Sequence, residues 1–418
     1  MKFVGHALNE CFVQTELPDD WSAIRGQFES MPGVAYLNTG TCGRVPRPVL
    51  EEAAEWRRRI AAEPCEVLWR RMPDALWATR ERLARFLGAP PQSIAFMANV
   101  TAGVNIVAAA LQIDPGRDVL ATDQEYGAML YVWERAVGRS GASLRTVSLP
   151  VGTDFTASDL VARFDDAIDD RTQVVFLSHI TTATGLVLPV REICEIARSR
   201  GAITVVDGAH APGMIPLDLD SLGCDFYTGN GHKWLLAPVG TGFLYVRPGC
   251  EHLIEPLVVS WGWKYDRAVA CERDQEGSTP FLRSLEFQGT RDPAPWFAVP
   301  AAIDFHEGIG RERILSRDRE LARLVRQQLA TLPGVEPAIP DDPELSAALA
   351  AYRVPYADAG ELQRRLWADY RIETPVLERC GSVLLRVSTH FYNTIDEIVR
   401  LRDALEKLLP GAVAPERP

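Results

Sequence analysis

The chain has 418 residues, 47% of them hydrophobic, enough to bury a large core and to divide into two or more structural units. Its 44 basic residues against 56 acidic ones give a net charge of -12, which opposes non-specific binding to nucleic acid or anionic membranes, so neither partner is expected. The cysteines, at positions 11, 42, 65, 194, 224, 250, 271 and 380, form no CxxC pair and no metal-ligand cluster, which points to reduced thiols in a cytoplasm and to no metal.

The opening MKFVGHALNECFVQTELPDDW has no continuous apolar run and does not read as a signal peptide. No later stretch reaches the roughly 18 to 20 uninterrupted apolar residues of a membrane span. Between about residues 75 and 250, short β-branched runs alternate with longer amphipathic stretches, the pattern of a mostly parallel sheet covered by helices. Strands are predicted at 94–97, 118–122, 174–178 and 203–206, with helices at 102–111, 126–140 and 190–200. From Ile314 the texture becomes helical and rich in Arg and Leu. A short helix is predicted at 345–354 and a strand at 383–387, with a proline-rich and acidic loop over 332–344. The GAVAPERP tail is expected to fray. The expected organisation is an N-terminal segment, 1–38, packing with the small domain; a large α/β domain, 39–308; and a smaller α+β domain, 309–418.

The predicted strands end in polar residues: Asn99 and Thr101, Glu125 and Tyr126, His179, then Asp207 and His210. Ligands of open α/β sheets bind outside these carboxyl ends, so the four segments converge if the strands are neighbours. Asp207 follows the apolar run ITVV, which buries its carboxylate and calls for a cationic or hydrogen-bonding partner. A protonated pyridine nitrogen is one such partner; a turn or N-cap aspartate before Gly208 is the alternative.

Lys233 lies in TGNGHKWLLAPVGTG, bracketed by Gly229, Gly231, Gly240 and Gly242 and flanked by His232 and Trp234. Close backbone approach and an apolar setting lower a lysine pKa toward the range useful for imine formation, whereas a solvated lysine is the plain alternative. The segment AFMANVTAGVN offers strand, turn and helix start, with Thr101 as hydroxyl donor and N-cap and with the Ala102 and Gly103 amides free for a phosphate. A capped helix without a ligand fits it as well. GNGHKW lacks the third glycine and the strand-to-helix unit of a dinucleotide fingerprint, which argues against a nicotinamide enzyme. Tyr126 can lie face-on against a flat ring or serve as a half-buried helix-start residue. Arg386, inside the apolar strand of LLRVSTHFYN, suits a planar carboxylate or an internal salt bridge.

The segments YLNTGTCGRVP, NVTAGVN, DQEYGAM, HITTATGLVLPV, VVDGAHAPG, GNGHKWLLAPVGTGFLY, LEFQGTRDPAPWFAVPAAIDF and LLRVSTHFYNT together resemble the class V aminotransferase family. The resemblance spans about 33–405, and within the class it is strongest to the isopenicillin N epimerase-like group, which also includes amino-acid carbon-sulfur lyases. It implies the fold type I architecture of pyridoxal phosphate (PLP) enzymes, with a mostly parallel seven-stranded-type sheet in a large domain and a smaller α+β C-terminal domain. Carried over by residue, it implies that Lys233 holds the cofactor as an imine and that Asp207 binds its ring nitrogen. His210 approaches the ring hydroxyl, and Tyr126 stands where many relatives stack a histidine. Thr101, Ala102, Asn230 and His232 contact the phosphate, with Thr290 of the partner subunit, which implies a homodimer. Arg386 binds the carboxylate of an amino-acid-like substrate.

Two departures from relatives matter. The cysteine nearest Arg386 in sequence, Cys380, is too close to it for the nucleophile loop of cysteine desulfurases, so persulfide chemistry is not expected. Tyr126 also alters proton delivery on its face of the ring. The expected activity is epimerisation or racemisation at an amino-acid α-carbon, with Lys233 removing the proton and Tyr126 or His179 returning it. The alternative is a carbon-sulfur lyase, followed by aminotransferase, decarboxylase or oxidase chemistry. Asn38, Arg70, Arg71, Trp261 and Trp263 are candidate substrate-pocket residues.

Overall fold

A computed structural model describes residues 20–263, 270–379 and 381–410; Cys380, the first nineteen residues and the GAVAPERP tail lie outside the described residues. After the short β1 (Ala35–Tyr36), seven strands build the main sheet: β2 (Ile94–Met97), β3 (Asp118–Thr122), β4 (Ser143–Val147), β5 (Thr172–Ser178), β6 (Ile203–Gly208), β7 (Phe226–Asn230) and β8 (Gly242–Val246). They lie in the order β2-β8-β7-β6-β5-β3-β4, and β8 alone runs against its neighbours. The predicted parallel sheet is thus present, with one antiparallel strand near its edge.

The β-branched runs make the centre of this sheet because both of its faces are covered. Alternation sends Val174, Phe176 and Val205 to one face, against Val104, Val107, Met129 and Trp133 of helices Val100–Ala110 and Gly127–Ser140. Val175, Leu177 and Val206 point the other way, toward Phe164, Ile193 and Ala197 of helices Ala157–Ala167 and Val190–Ser199. Each such side chain contributes about 1.5–3 kcal/mol on burial. Among the described residues no helix is long and apolar enough to cross a membrane.

The remaining strands are β9 (Glu336–Pro337), β10 (Leu349–Arg353), β11 (Ile372–Glu373), β12 (Val376–Arg379) and β13 (Ser382–Ser388). Four form an antiparallel sheet in the order β12-β13-β10-β9, while β1 pairs in parallel with β11. The helix predicted at 345–354 is corrected here: the segment reaches β10, whose five residues pair with β13 from Leu349 opposite Ser388 to Arg353 opposite Leu384. Its alanines favour helix locally, but Leu349, Ala351 and Tyr352 are buried and the ladder satisfies the backbone, so tertiary packing decides. The loop at 332–344 contributes β9 to the edge of that sheet.

Two links tie residues 38–43 to both sheets: Asn38 bridges Ser388, the last residue of β13, and the Gly43 amide donates to the His232 carbonyl just after β7 at 2.8 Å. A side chain at position 43 would stand 2.0 Å from the Lys233 carbonyl oxygen, so only glycine permits this approach.

Candidate active site

Asp207 is the fifth residue of β6, opposite Ser178 of β5 and Thr228 of β7, so three adjacent strands end beside it. Its side chain is buried, and Oδ1 accepts the Ala209 amide at 2.8 Å. Burial raises its pKa, and the Ala209 amide and Lys233 act in the opposite direction. No side chain among the described residues hydrogen-bonds this carboxylate, which leaves acceptor capacity for a cationic group.

Lys233 follows the turn after β7, and its Nζ stands 3.3 Å from His210 Nε2. Burial brings its pKa down to about 8; Asp207 and Cys42 oppose that shift while Arg386 reinforces it. The Trp234 indole reaches His210 Nδ1 at 3.4 Å. An indole N–H can only donate, so Nδ1 accepts and the neutral ring carries its hydrogen on Nε2, which can donate to Thr182 Oγ1 at 3.3 Å and to Lys233 once that amine is neutral. Burial, then Lys233 and Arg386, hold His210 well below the ordinary histidine range, which keeps it neutral.

Arg386 sits on β13 with 4% of its surface exposed, and among the described residues no carboxylate pairs with it. Nη1 donates to the Thr182 carbonyl at 3.1 Å, and Nη2 to Thr41 Oγ1 at 3.0 Å and Asn38 Oδ1 at 3.2 Å. Among the described residues its buried Nε has no hydrogen-bond partner. Burial lowers its pKa to about 10. A guanidinium held by neutral acceptors with donor capacity left over is suited to a planar anion. Asn38 is in turn fixed by donating to Glu373 at 3.0 Å.

The helix start next to β2 differs in detail from the prediction. Asn99, not Thr101, caps helix Val100–Ala110, its Oδ1 accepting the Ala102 amide at 3.0 Å. Asparagine one residue before the helix reaches forward to accept the third helical amide, whereas Thr101 already lies inside the first turn. The Val100 amide donates to Asn230 Oδ1 at 3.0 Å. The exposed Thr101 therefore offers its amide and hydroxyl to an anion, and Ala102 does so only by leaving its cap. His232 Nδ1 meets the Thr241 carbonyl at 3.2 Å on the same side of the β7 turn, and burial lowers its pKa.

Tyr126 caps helix Gly127–Ser140 from outside and is 50% exposed. The preceding Glu125 is buried and accepts from Thr122 Oγ1 at 2.6 Å, the Ser178 amide at 3.1 Å and Ser178 Oγ at 2.5 Å. Burial raises the Glu125 pKa to about 7 against these hydrogen bonds. His179 meets the Tyr227 hydroxyl at 2.9 Å through Nδ1, and burial lowers its pKa to about 4. The Tyr227 ring lies so close to Gly208 that a Cβ there would stand 2.1 Å from it.

Other candidates lie elsewhere. Arg70 and Arg71 pair with Glu66 on the short π-helix Glu66–Arg71, and Trp261 is 87% exposed. Thr290 is exposed and lines an apolar cavity with Trp69, Met72, Phe287 and Trp296. Trp263 belongs to a separate open surface with Val259, Ser260 and Trp261. Among the described residues no hydrogen bond, ion pair or ring contact joins Tyr126 or Thr290 to Lys233. Thr41 and Thr182 went unnoticed in sequence reasoning, although both stand inside quoted motifs, YLNTGTCGRVP and HITTATGLVLPV.

The donor set fits a flat cofactor bearing an aldehyde, a ring nitrogen and a phosphate. Lys233 offers an amine of lowered pKa, Asp207 an unpaired carboxylate face, and Thr101 the donors of an open helix start.

The family model described as Aminotransferase class-V matches residues 35–401. The chain is 47% identical to isopenicillin N epimerase of Amycolatopsis lactamdurans, over 93% of this chain and 98% of that protein. It is 46% identical to the enzyme of that name from Streptomyces clavuligerus, with coverages of 93% and 98%. Among solved structures, a C-DES mutant with glycine covalently linked to its PLP cofactor shares the fold, with a TM-score of 0.79, 24% identity, and coverage of 91% of this chain and 98% of that one. With the family model spanning most of its length, the chain belongs to the class V aminotransferase family.

Proposed function

We propose that this chain is a pyridoxal 5'-phosphate-dependent epimerase or racemase, inverting the α-carbon of an amino acid or amino-acid-containing metabolite in the manner of its isopenicillin N epimerase relatives. The observation that carries this reading is one buried site joining an amine of lowered pKa, a carboxylate and an arginine that, among the described residues, have no side-chain partner and no acidic partner respectively. When bound, PLP makes the α-hydrogen acidic by drawing the electron pair of its bond into the ring.

Lys233 would hold the cofactor, and its amine of lowered pKa accepts the substrate α-proton at Nζ. Asp207 would supply a negative charge to the ring nitrogen, and the Nε2 hydrogen of His210, beside Lys233, would be the donor available to the ring hydroxyl. Arg386, steadied by Asn38 and Thr41, grips the substrate carboxylate and so presents the α-hydrogen to Lys233. Tyr126 returns a proton on the opposite face. Thr101, Ala102, Asn230 and His232 would hold the phosphate, joined by Thr290 of the partner subunit in a homodimer; the exposed apolar cavity around Thr290, of about 260 Å³, supports that assembly. A cytoplasmic setting is supported by the free thiols among the described cysteines. The division into 1–38, 39–308 and 309–418 is part of the same proposal, with the seven-stranded sheet inside the second unit and the four-stranded sheet inside the third.

The test is a panel of L- and D-amino acids and thioethers offered to the holoenzyme in deuterated buffer. Deuterium at the α-carbon with loss of optical purity is expected for the substrate. Absence of α-exchange in every compound would sink the proposal, and release of pyruvate or ammonia from cystine or cysteine sulfoxides would make the enzyme a carbon-sulfur lyase. Lys233→Ala should lose the visible absorbance of the imine; unchanged absorbance would remove Lys233 as the attachment point.

A further inference from the structure

Behind the Lys233 loop lies a polar cluster that no step above uses. His390, on the turn after β13, is fully buried, and both its ring nitrogens face acceptors. Nδ1 meets Asp318 Oδ2 at 2.9 Å and Oδ1 at 3.1 Å, while Nε2 meets the Trp234 carbonyl at 3.0 Å. A carbonyl only accepts, so Nε2 must carry a hydrogen and donate it. Asp318, buried on helix Arg311–Leu329, shares a proton with Nδ1 and so fixes which way the ring faces. Around the ring stand Phe391 at 4.4 Å, Trp234 at 5.4 Å, Tyr392 at 5.4 Å and the neutral His306 at 6.0 Å, whose pKa burial lowers to about 3.

Trp234 directly follows Lys233 and is held at two ends. His390 holds its carbonyl, and its own indole holds His210 Nδ1. The backbone around it is under constraint. Leu236 adopts φ 61°, a left-handed conformation rare for a branched residue, and a Cβ at Gly213 would stand 2.6 Å from the Trp234 carbonyl. Such a conformation persists only where surrounding contacts over-determine it.

We propose that the buried Asp318–His390 pair is a positioning device for the chemistry at Lys233. It clamps the Trp234 carbonyl and thereby sets both the reach of Lys233 Nζ and the Nε2-hydrogen form of His210. The inference rests on the reading of Lys233 as the cofactor attachment. Four groups act on Lys233 Nζ directly, namely Asp207, His210, Arg386 and Cys42, and none belongs to the pair.

The test compares His390→Phe, which keeps the packing but loses the donor, with His390→Gln, whose amide can still donate to the Trp234 carbonyl. Two quantities are read: the pH midpoint for imine formation when PLP is added to apo protein, and the rate of substrate α-proton exchange by holoenzyme. His390→Phe should move the midpoint upward, toward ordinary lysine, and slow exchange about tenfold with KM changed by less than about threefold. His390→Gln should restore both to within about threefold of wild type. A His390→Phe protein that matches wild type in midpoint and exchange, and differs only in melting temperature, overturns the proposal. Should His390→Phe not accumulate as folded protein, Asp318→Asn decides by the same readouts, and values equal to wild type overturn it. Wild-type protein that forms no imine at all would remove the reading of Lys233 and the inference with it.

Discussion

Arg386 Nη2 stands 3.2 Å from Asn38 Oδ1, a neutral acceptor, and among the described residues no carboxylate pairs with the guanidinium. A buried cation with no counter-ion among the described residues is retained at a desolvation cost, so its removal should not harm the fold. Arg386→Met is expected to keep or raise stability, by up to about 1 kcal/mol, while raising KM for the substrate about a hundredfold. Thermal melting and steady-state kinetics on the same preparation check both halves. Destabilisation by more than about 3 kcal/mol would mean that the arginine braces the fold and is not waiting for substrate.

Glu125 gives a pH signature of its own. Burial raises its folded-state pKa to about 7 from the ordinary 4.5, so between these values the folded chain binds more protons than the unfolded one. Stability from this group is therefore fully present below 4.5 and is lost as pH rises through about 7. The stability difference between wild type and Glu125→Gln should drift against wild type across that window, by on the order of 1–3 kcal/mol. Urea denaturation of both proteins at pH 5 and pH 8 measures it, and a constant difference would mean that Thr122 and Ser178 hold the carboxylate ionised throughout.

Asp207 and Lys233 were legible because each breaks a pattern: a carboxylate ends an apolar strand, and a lysine stands among glycines where a charge is costly. Arg386 was legible for the same reason, and its neutral partners Thr41, Asn38 and Thr182 are what its spacing leaves unsaid. Thr41 and Thr182 were not, since threonines in turns have many local uses and nothing in their spacing announces a contact to an arginine remote in the chain. The helix cap was misassigned because Asn99 and Thr101 are both good caps, and backbone geometry chooses between them. The segment leading to β10 was misread because alanine propensity is a weak local preference beside a ladder to β13. The main sheet was readable in outline because a strand buried on both faces must be apolar throughout, whereas the reversed direction of β8 leaves no mark on composition.

Inversion needs a proton donor on the face away from Lys233, and Tyr126 and His179 compete for that role. His179 is engaged through Nδ1 by Tyr227, and its pKa of about 4 leaves it neutral near pH 7, without the extra proton of an acid. Tyr126 is half-exposed, its hydroxyl makes no hydrogen bond among the described residues, and Glu125 anchors the backbone beside it. Tyr126→Phe should therefore separate two events that wild type couples. Exchange of the α-hydrogen through Lys233 should persist within about threefold, while formation of the opposite enantiomer falls about a hundredfold. In deuterated buffer, recovered substrate would then carry deuterium with its configuration retained. Equal loss of exchange and inversion would assign Tyr126 to binding, and unchanged inversion would pass the second proton to another group.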